Sequence, residues 1–272
     1  MRNGRNDEVG PVAVAVDWSI VATEKPPPVV FGTPVVKLTT LPMFADVNGD
    51  GYPDLIIGRS GYHSVYINQY PQQKFVELKD AFSGYRSNAR GLAILDFNKD
   101  GHRDIFVGNY FANVDLNKET PPWSMGFTKG DDVYGDKNAL FQGVGDGHFK
   151  LSSQFDFPYK NHTFFPGIGD FNKDGWPDIF EGNDFSFDRL YYNRKGHFEE
   201  VTESDLPMDR HGFAGMNSEV FDFDNDGWLD IYVTNIYGPP YSRGGNILWK
   251  GGPHGFTDVS DDLGVRRCGW SW

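Results

Sequence analysis

Four nine-residue stretches rich in Asp, Asn and Gly carry the chemistry of this 272-residue sequence. They begin at Asp46, Asp96, Asp170 and Asp222, and read DVNGDGYPD, DFNKDGHRD, DFNKDGWPD and DFDNDGWLD. Positions 1, 3, 5 and 9 always carry Asp or Asn, and position 6 is always Gly. Oxygens at alternate positions of a tight loop can converge on one point, and Gly permits the sharp turn. Calcium takes roughly six to eight oxygen ligands in flexible geometry, so each stretch is predicted to be a calcium loop.

Each loop is predicted to hold one calcium ion, which gives about four sites in the chain. The expected ligands are the side chains at positions 1, 3, 5 and 9 and the backbone carbonyl of position 7. Turns that join strands without any metal are the alternative, because Asn, Asp and Gly favour turns on their own. Repetition at identical spacing favours the metal. The predicted ligands are Asp46, Asn48, Asp50, Tyr52 and Asp54; Asp96, Asn98, Asp100, His102 and Asp104; Asp170, Asn172, Asp174, Trp176 and Asp178; and Asp222, Asp224, Asp226, Trp228 and Asp230.

An EF-hand is the nearest rival interpretation of these loops. It requires a bidentate Glu at position 12 and a helix on each side. Position 12 holds Ile57, Val107 and Val233 in three copies, and Glu181 only in the third. The residues that follow each loop (LIIG, IFVG, IFEG, IYVT) are β-branched and aromatic and lack helical spacing, so they predict strands.

Composition and charge limit the classes of partner. The formal net charge is −13, and the four loops together contain 13 Asp. Such acidity argues against nucleic acid or an anionic membrane surface as a partner. Cys268 is the only cysteine, so no disulfide can form within the chain. No apolar run approaches the length of a membrane span, and the apolar run at 12–16 is too short for the core of a signal peptide.

The sequence around the loops predicts an all-β fold built from repeated four-stranded units. Successive loops begin 50, 74 and 52 residues apart, which is the size of a propeller blade. The long interval is ascribed to an insertion at 110–138. We expect an N-terminal segment, 1–38, with strands that complete or precede a blade, followed by β-propeller repeats over 39–272. The expected blades cover about 39–80, 91–153, 163–203 and 213–260, with a partial blade at 265–272.

The repeats resemble FG-GAP/VCBS repeats, the calcium-loop blades of integrin α-subunit propellers. The units NRKGHFEEVTESDL and GGPHGFTDVSDDLGV, followed by CGWSW, are similar to the ASPIC/UnbV-associated, cartilage-acidic-protein-like branch. This resemblance covers roughly residues 39–272. It implies a calcium-stabilised β-propeller, secreted or on the cell surface, that serves in adhesion or ligand binding.

Three classes of function follow from the sequence. A non-catalytic adhesion module that binds a protein or carbohydrate ligand is favoured, because the chain has no G-x-S-x-G motif and no phosphate loop. A polysaccharide-active enzyme is the first alternative, since some polysaccharide lyases resemble calcium-bearing propellers. It would require a cluster of Lys, Arg, His and Tyr at one pole.

A structural subunit of a larger assembly is the second alternative. The partial blade would then leave an open, apolar blade face through which the chain could self-associate. Closure of a fifth blade by the tail and residues 12–38 is the opposite expectation, because it would leave no unpaired sheet edge.

Overall fold

The computed structural model describes residues 41–112, 135–201, 215–236 and 245–267, and all of their regular structure is β-strand. The chain divides into two compact units, Met1–Pro34 and Val35–Trp272, and the described residues all belong to the second. In these ranges there is no helix long and apolar enough to cross a membrane. The N-terminal segment 1–38, residues 113–134 of the insertion and the tail 268–272 lie outside the described residues, together with any fifth blade formed from them.

The first sheet surrounds the loop that begins at Asp46. Its four strands are antiparallel and follow one another in the order β1-β2-β4-β5, while β3 leaves the sheet and pairs with β6 of the next one. The strands concerned are β1 (Leu41–Ala45), β2 (Asp54–Gly58), β3 (Ser60–Tyr62), β4 (Ser64–Asn68), β5 (Phe75–Leu78) and β6 (Arg86–Leu95).

The other three loops have sheets of the same plan, in which the first strand enters the loop and the second leaves it. The second sheet has the order β10-β9-β7-β6-β3, the third β12-β13-β15-β16, and the fourth β17-β18-β19-β20. Their remaining strands are β7 (Asp104–Asn109), β9 (Ala139–Gly143), β10 (Phe149–Leu151), β12 (Gly167–Gly169), β13 (Asp178–Glu181), β15 (Arg189–Asn193), β16 (Phe198–Glu200), β17 (Gly215–Phe221), β18 (Asp230–Asn235), β19 (Ile247–Gly252) and β20 (Gly255–Asp258).

A small additional sheet crosses between the second and third repeats. Its order is β14-β11-β8, and its strands are short and polar. Its central strand pairs on one side with the end of the insertion and on the other with the residues that follow the second strand of the third sheet. The three strands are β8 (Asp136–Lys137), β11 (Lys160–Thr163) and β14 (Asn183–Asp184).

Three apolar layers pack the four sheets together, one layer between each consecutive pair. Side chains of a strand alternate between its two faces, so one second strand serves two layers. On β7, Ile105 and Val107 pack in the layer that contains Ile56 of the first sheet. Phe106, between them, packs in the layer that contains Ile179 of the third sheet. This double burial is why the second strands are apolar almost throughout.

The first strands of consecutive sheets lie beside one another, with β1 next to β6, β6 next to β12, and β12 next to β17. Glycine permits a close approach here, since a Cβ built on Gly91 of β6 would lie 2.0 Å from the backbone oxygen of Phe164. Four-stranded antiparallel sheets that meet through their first strands are the blades of a β-propeller. The predicted fold class is therefore confirmed.

Candidate functional site

All four loops have the same backbone form. Each connects the first strand of its sheet to the second, as between β1 and β2. Position 4 has a positive φ in every copy, and only the first copy places Gly there. A left-handed residue at this position lets the loop fold back on itself within a few residues. The residues at position 4 are Gly49, Lys99, Lys173 and Asn225.

The Asp at position 1 organises each loop by accepting backbone hydrogen bonds. In the first loop, the N–H groups of Gly49 and Gly51 donate to Oδ1 and Oδ2 of Asp46 at 2.7 and 2.9 Å. In the other three loops the glycine at position 6 donates to Oδ2 in the same way, whereas the donor to Oδ1 is the N–H of position 5 and not that of position 4. Positions 1, 3 and 5 therefore present their oxygens to one short stretch of backbone.

Positions 3 and 5 complete this arrangement. In the first loop, Asn48 Oδ1 accepts the N–H of Asp50 at 3.0 Å, and Asp50 Oδ1 accepts the N–H of Tyr52 at 2.9 Å. The same two bonds occur in each of the other loops. These are Asx-turns, so the alternative of metal-free turns and the calcium interpretation share one backbone geometry. Ligation by the carbonyl oxygen of position 7 stays a prediction.

The Asp at position 9 connects the loop to the third strand of its sheet. Asp178 Oδ2 accepts the N–H of Phe171 at 2.9 Å, and its Oδ1 accepts the N–H of Asn193 on β15 at 2.7 Å. Asp54, Asp104 and Asp230 make the same pair of bonds, and all four side chains are fully buried. Each carboxylate oxygen keeps a further lone pair, so this structural role is compatible with metal ligation.

Burial changes the acidity of these four groups. It raises the pKa of Asp54 and Asp230, that of Asp104 to about 6 and that of Asp178 to about 7, because a low-dielectric environment disfavours the charged form. The backbone N–H donors oppose this shift. A divalent cation near such a carboxylate would favour its charged form.

The fourth loop has three carboxylates close enough together to hold one cation. One carboxylate oxygen from each of Asp222, Asp224 and Asp226 lies within 4.8 Å of the other two. Two ligands at the usual calcium–oxygen distance of about 2.3–2.6 Å from one ion are separated by no more than about 5 Å, so these oxygens can share an ion. In the other three loops position 3 is Asn, which supplies a neutral oxygen of the same hard type.

Lys250 adds a cation to the fourth loop that the sequence analysis missed. It lies on β19, and its Nζ contacts Asp224 Oδ2 and lies 2.9 Å from Asp226 Oδ2. These hydrogen bonds lower the pKa of Asp226 and raise that of Lys250. The matching residue of the second sheet, Gln142, donates to Asp100. A polar residue four positions after the Asn that precedes the third strand, as in Asn138 with Gln142 and Asn246 with Lys250, could have indicated this contact.

A second repeated contact lies at the opposite end of the second strands, and it was also missed. When the first Asp of each loop is counted as position 1, the residue at position 14 donates its backbone N–H to a side chain. That side chain belongs to the residue immediately before the third strand of the sheet. The pairs are Arg59 with His63, Asn109 with Asn138, Asn183 with Asp188, and Asn235 with Asn246. Asn at position 14 in three of the four repeats was the available signal.

The third repeat departs from the others by placing acids at this end. Glu181, at the last residue of β13, is fully buried and accepts from Asn138 Nδ2 at 2.6 Å and from Asn161 Nδ2 at 3.2 Å. Asp184 accepts from the hydroxyl of Tyr110. Burial raises the pKa of Glu181, Asp184 and Asp188 to about 7 each. Glu181 therefore lies in a strand and accepts hydrogen bonds from two Asn side chains, which agrees with the expectation that the third loop is not an EF-hand.

Comparison with known proteins agrees with the repeats seen in the sequence. The FG-GAP-like repeat model matches residues 46–107, 130–181 and 170–233, which together are more than half of the chain. Cartilage acidic protein 1 of Xenopus tropicalis is 28% identical over an alignment of 208 residues that covers 68% of this chain. The chain spans only 29% of that relative's length.

Two solved structures align with part of this chain at low similarity. An Agrocybe aegerita lectin with specific recognition of non-reducing terminal N-acetylglucosamine aligns with a TM-score of 0.47 at 17% identity, over 83% of this chain and 52% of the lectin. BBS1N in complex with ARL6DN aligns with a TM-score of 0.44 at 10% identity, over 79% of this chain and 51% of that one. The family match rests on the loops and the strands that flank them, and the chain belongs to the FG-GAP-like repeat family.

Proposed function

We propose that this chain is a calcium-stabilised, non-catalytic binding module that recognises a protein or carbohydrate ligand. The observation that carries the proposal is a hydrogen bond common to all four oxygen-rich loops, in which the glycine at position 6 donates its backbone N–H to the Asp at position 1. Four copies of one pre-arranged donor set are what a repeated structural metal site requires, whereas catalysis requires one differentiated site. Family membership supports the same conclusion.

Calcium would be held by positions 1, 3, 5 and 9 of each loop and by the carbonyl of position 7. The ion supplies positive charge among carboxylates that otherwise repel one another at close range. In the first loop, Asp46 would hold the ion at the end of β1 and Asp54 would hold it at the start of β2. Bound calcium would therefore connect the two strands that the loop separates.

Isothermal titration of the folded protein with calcium tests this part of the proposal. The expected result is uptake of about four ions, with dissociation constants on the order of 10⁻⁴–10⁻³ M, as in extracellular modules. Magnesium serves as the control cation, because it demands a smaller and more regular octahedral site. The absence of calcium uptake by folded protein would rule the proposal out.

Calcium sites of that affinity fill only where calcium is millimolar, so we place the chain outside the cell, secreted or at the cell surface. The acidic charge of −13 agrees with a partner that is neither nucleic acid nor an anionic membrane. A second measurement checks the location: the calcium midpoint of thermal stabilisation should lie well above cytosolic calcium levels. A submicromolar midpoint would contradict an extracellular role.

The enzyme alternative needs an accessible cluster of basic and aromatic residues. Within the described ranges, Tyr110 and His162 lie with ring centroids 4.9 Å apart. Tyr110, His162 and nearby Arg90 are all almost fully buried, which leaves no access for a polymer. Incubation of calcium-loaded protein with a panel of acidic polysaccharides distinguishes the two classes. Binding without formation of ultraviolet-absorbing unsaturated sugars supports the module, and product formation supports the lyase.

A second candidate function is self-association through an apolar surface of the first repeat. Phe44 is 50% exposed and contacts Phe75 edge to face, while Tyr70, 55% exposed, packs on Tyr52. Val76 on β5 is also exposed. Exposed apolar groups concentrated in one repeat are typical of an interface. Light scattering over a concentration series should show a dimer that Phe44→Ser weakens, and a monomer at all concentrations would eliminate this candidate.

A further inference from the structure

The second loop is connected to the third, and the third to the fourth, by a lysine that lies on an aromatic ring. Lys99, at position 4 of the second loop, places Nζ 4.5 Å from the ring centroid of Trp176, at position 7 of the third loop. Lys173, at position 4 of the third loop, places Nζ 4.1 Å from the ring centroid of Trp228 in the fourth. An ammonium group over an indole face is a favourable cation–π contact. The same two loop positions therefore join consecutive repeats twice.

The glycine at position 6 makes room for this ammonium group. A Cβ built on Gly175 would lie 3.6 Å from Lys99 Nζ, and one built on Gly227 would lie 3.3 Å from Lys173 Nζ. Each ammonium group thus rests against the Gly and Trp of the following loop. This arrangement defines a small receptor for an alkylammonium group, and the chain fills it from within at two interfaces.

The interface between the first and second loops keeps the glycine of this arrangement but has neither the lysine nor the tryptophan. Position 4 of the first loop is Gly49, which has open space around its Cα, and position 7 of the second loop is His102. A cavity of about 140 Å³ occupies this place. It is lined by Asp46, Val47, Gly49, Gly101, His102 and Arg103. Gly49, Gly101 and His102 are the positional equivalents of Lys99, Gly175 and Trp176.

This cavity lies between the first and second loops, and two of its lining residues, Asp46 and His102, are also predicted calcium ligands. Only Asp46, among the predicted ligands of the first loop, lines it, and both Asp46 oxygens already accept backbone N–H groups. The His102 ring rests against the second repeat, where a Cβ built on Gly145 would lie 2.4 Å from its Cε1. The ring therefore forms a wall of the cavity and does not fill it.

We propose that this cavity binds a primary alkylammonium group, supplied by the lysine side chain of a partner protein or by a small free amine. The preference for an alkylammonium group is inferred from the two equivalent interfaces of the same chain, each of which holds a lysine ammonium group. Asp46 contributes negative charge on one side of the cavity. Arg103 is the opposing positive charge in the lining, so the site is weaker than its internal counterparts. The proposal concerns a partner contact between the two loops, and it shares Asp46 with the calcium site proposed for the first loop.

Titration of the calcium-loaded full chain with n-butylammonium chloride, followed by NMR at His102 and at the Gly49 amide, tests the proposal. Sodium chloride at matched concentration and neutral 1-butanol are the controls. The expected result is a saturable shift at both positions with butylammonium alone. Gly49→Lys, which places a lysine where the backbone φ is already +77°, should fill the cavity and abolish that shift. A linear shift, or an identical shift in Gly49→Lys, would overturn the proposal.

A second variant calibrates the measurement. Lys99→Gly empties the receptor beside Trp176 at a position whose φ of 57° suits glycine. Butylammonium should then shift the Trp176 indole N–H in this variant and leave it unchanged in the natural chain. Binding at Trp176 in Lys99→Gly, without binding at Gly49 in the natural chain, would also overturn the proposal. A lysine-containing tripeptide amide that binds more tightly than butylammonium assigns the site to a partner's lysine, and the reverse order assigns it to a small amine.

Discussion

The carboxylate of Asp178 and the backbone N–H of Asn193 are joined by a hydrogen bond of 2.7 Å, which fastens the third loop to strand β15. The second oxygen of Asp178 accepts a hydrogen bond from the backbone N–H of Phe171. Position 9 of the loop therefore has a structural task that does not depend on a metal, whereas position 5 is open to solvent. The two positions can be separated by experiment.

Asp178→Ala should lower the free energy of unfolding by about 2–6 kcal/mol, even in excess chelator. It leaves two buried N–H donors without an acceptor, and each such donor costs roughly 1–3 kcal/mol. Urea unfolding in chelator measures the change. Asp174→Ala, at exposed position 5 of the same loop, is the matched control and should change stability by about 1 kcal/mol or less under these conditions. Equal losses in both variants would contradict the separation.

Chelation of calcium should lower the melting temperature of the natural chain. Each site that is filled at 100 times its dissociation constant adds about 2.7 kcal/mol through mass action. Asp174→Ala should remove one ion from the stoichiometry and narrow the difference between the calcium-loaded and chelated melting temperatures. Differential scanning calorimetry with and without chelator gives both quantities. A melting temperature unaffected by chelator would argue for metal-free turns.

Lys250→Met should strengthen calcium binding at the fourth loop several-fold. The Lys250 ammonium group contacts Asp224 and lies 2.9 Å from Asp226 Oδ2, so it competes with calcium for the same oxygens. Methionine keeps the length of the side chain and removes its charge. Lys150→Met, on exposed strand β10, is the control for a general change in net charge. Unchanged affinity in Lys250→Met, measured by calorimetry, would show that the lysine moves aside without a penalty.

Stability should fall as pH rises from about 4 to about 7, through the buried acids of the third repeat. Burial raises the pKa of Glu181, Asp184 and Asp188 to about 7 in the folded chain, from ordinary values of 4.5 for Glu and 3.8 for Asp. Between those values the folded state binds more protons than the unfolded state. A rise in pH therefore favours unfolding until the folded groups are ionised.

Glu181→Gln tests the contribution of one of these acids. Gln resembles the protonated form, and its amide can donate to Asn161 Oδ1, which has no hydrogen-bond partner in the structure. Between pH 5 and pH 8, the free energy of unfolding of the variant should fall less steeply than that of the natural chain. Urea titration in chelator at each pH measures this free energy. Glu199→Gln on exposed β16 should leave the slope unchanged. Identical slopes in the natural chain and Glu181→Gln would contradict the prediction.

Much of the fold could be predicted because its signals are local. Each loop is contained in nine residues, and the strands that flank it, such as β2 and β7, are short apolar runs between turn residues. Repetition then converted one local unit into an architecture. The path of β3 could not be predicted in this way, because its partner β6 belongs to the next repeat and three residues carry too little pattern to identify a neighbour.

The candidate site also has a part that the sequence predicted and a part that only the tertiary structure showed. The types and spacing of Asp46, Asp96, Asp170 and Asp222 and their neighbours were enough to identify four equivalent oxygen-rich loops. Only the tertiary structure brought Lys250 to Asp224, Lys99 to Trp176 and Asn138 to Glu181. These partners lie 26 to 77 residues apart in the chain. Local sequence determines backbone preference and the alternation of faces, whereas contacts between repeats depend on how whole sheets pack, which no nine-residue pattern encodes.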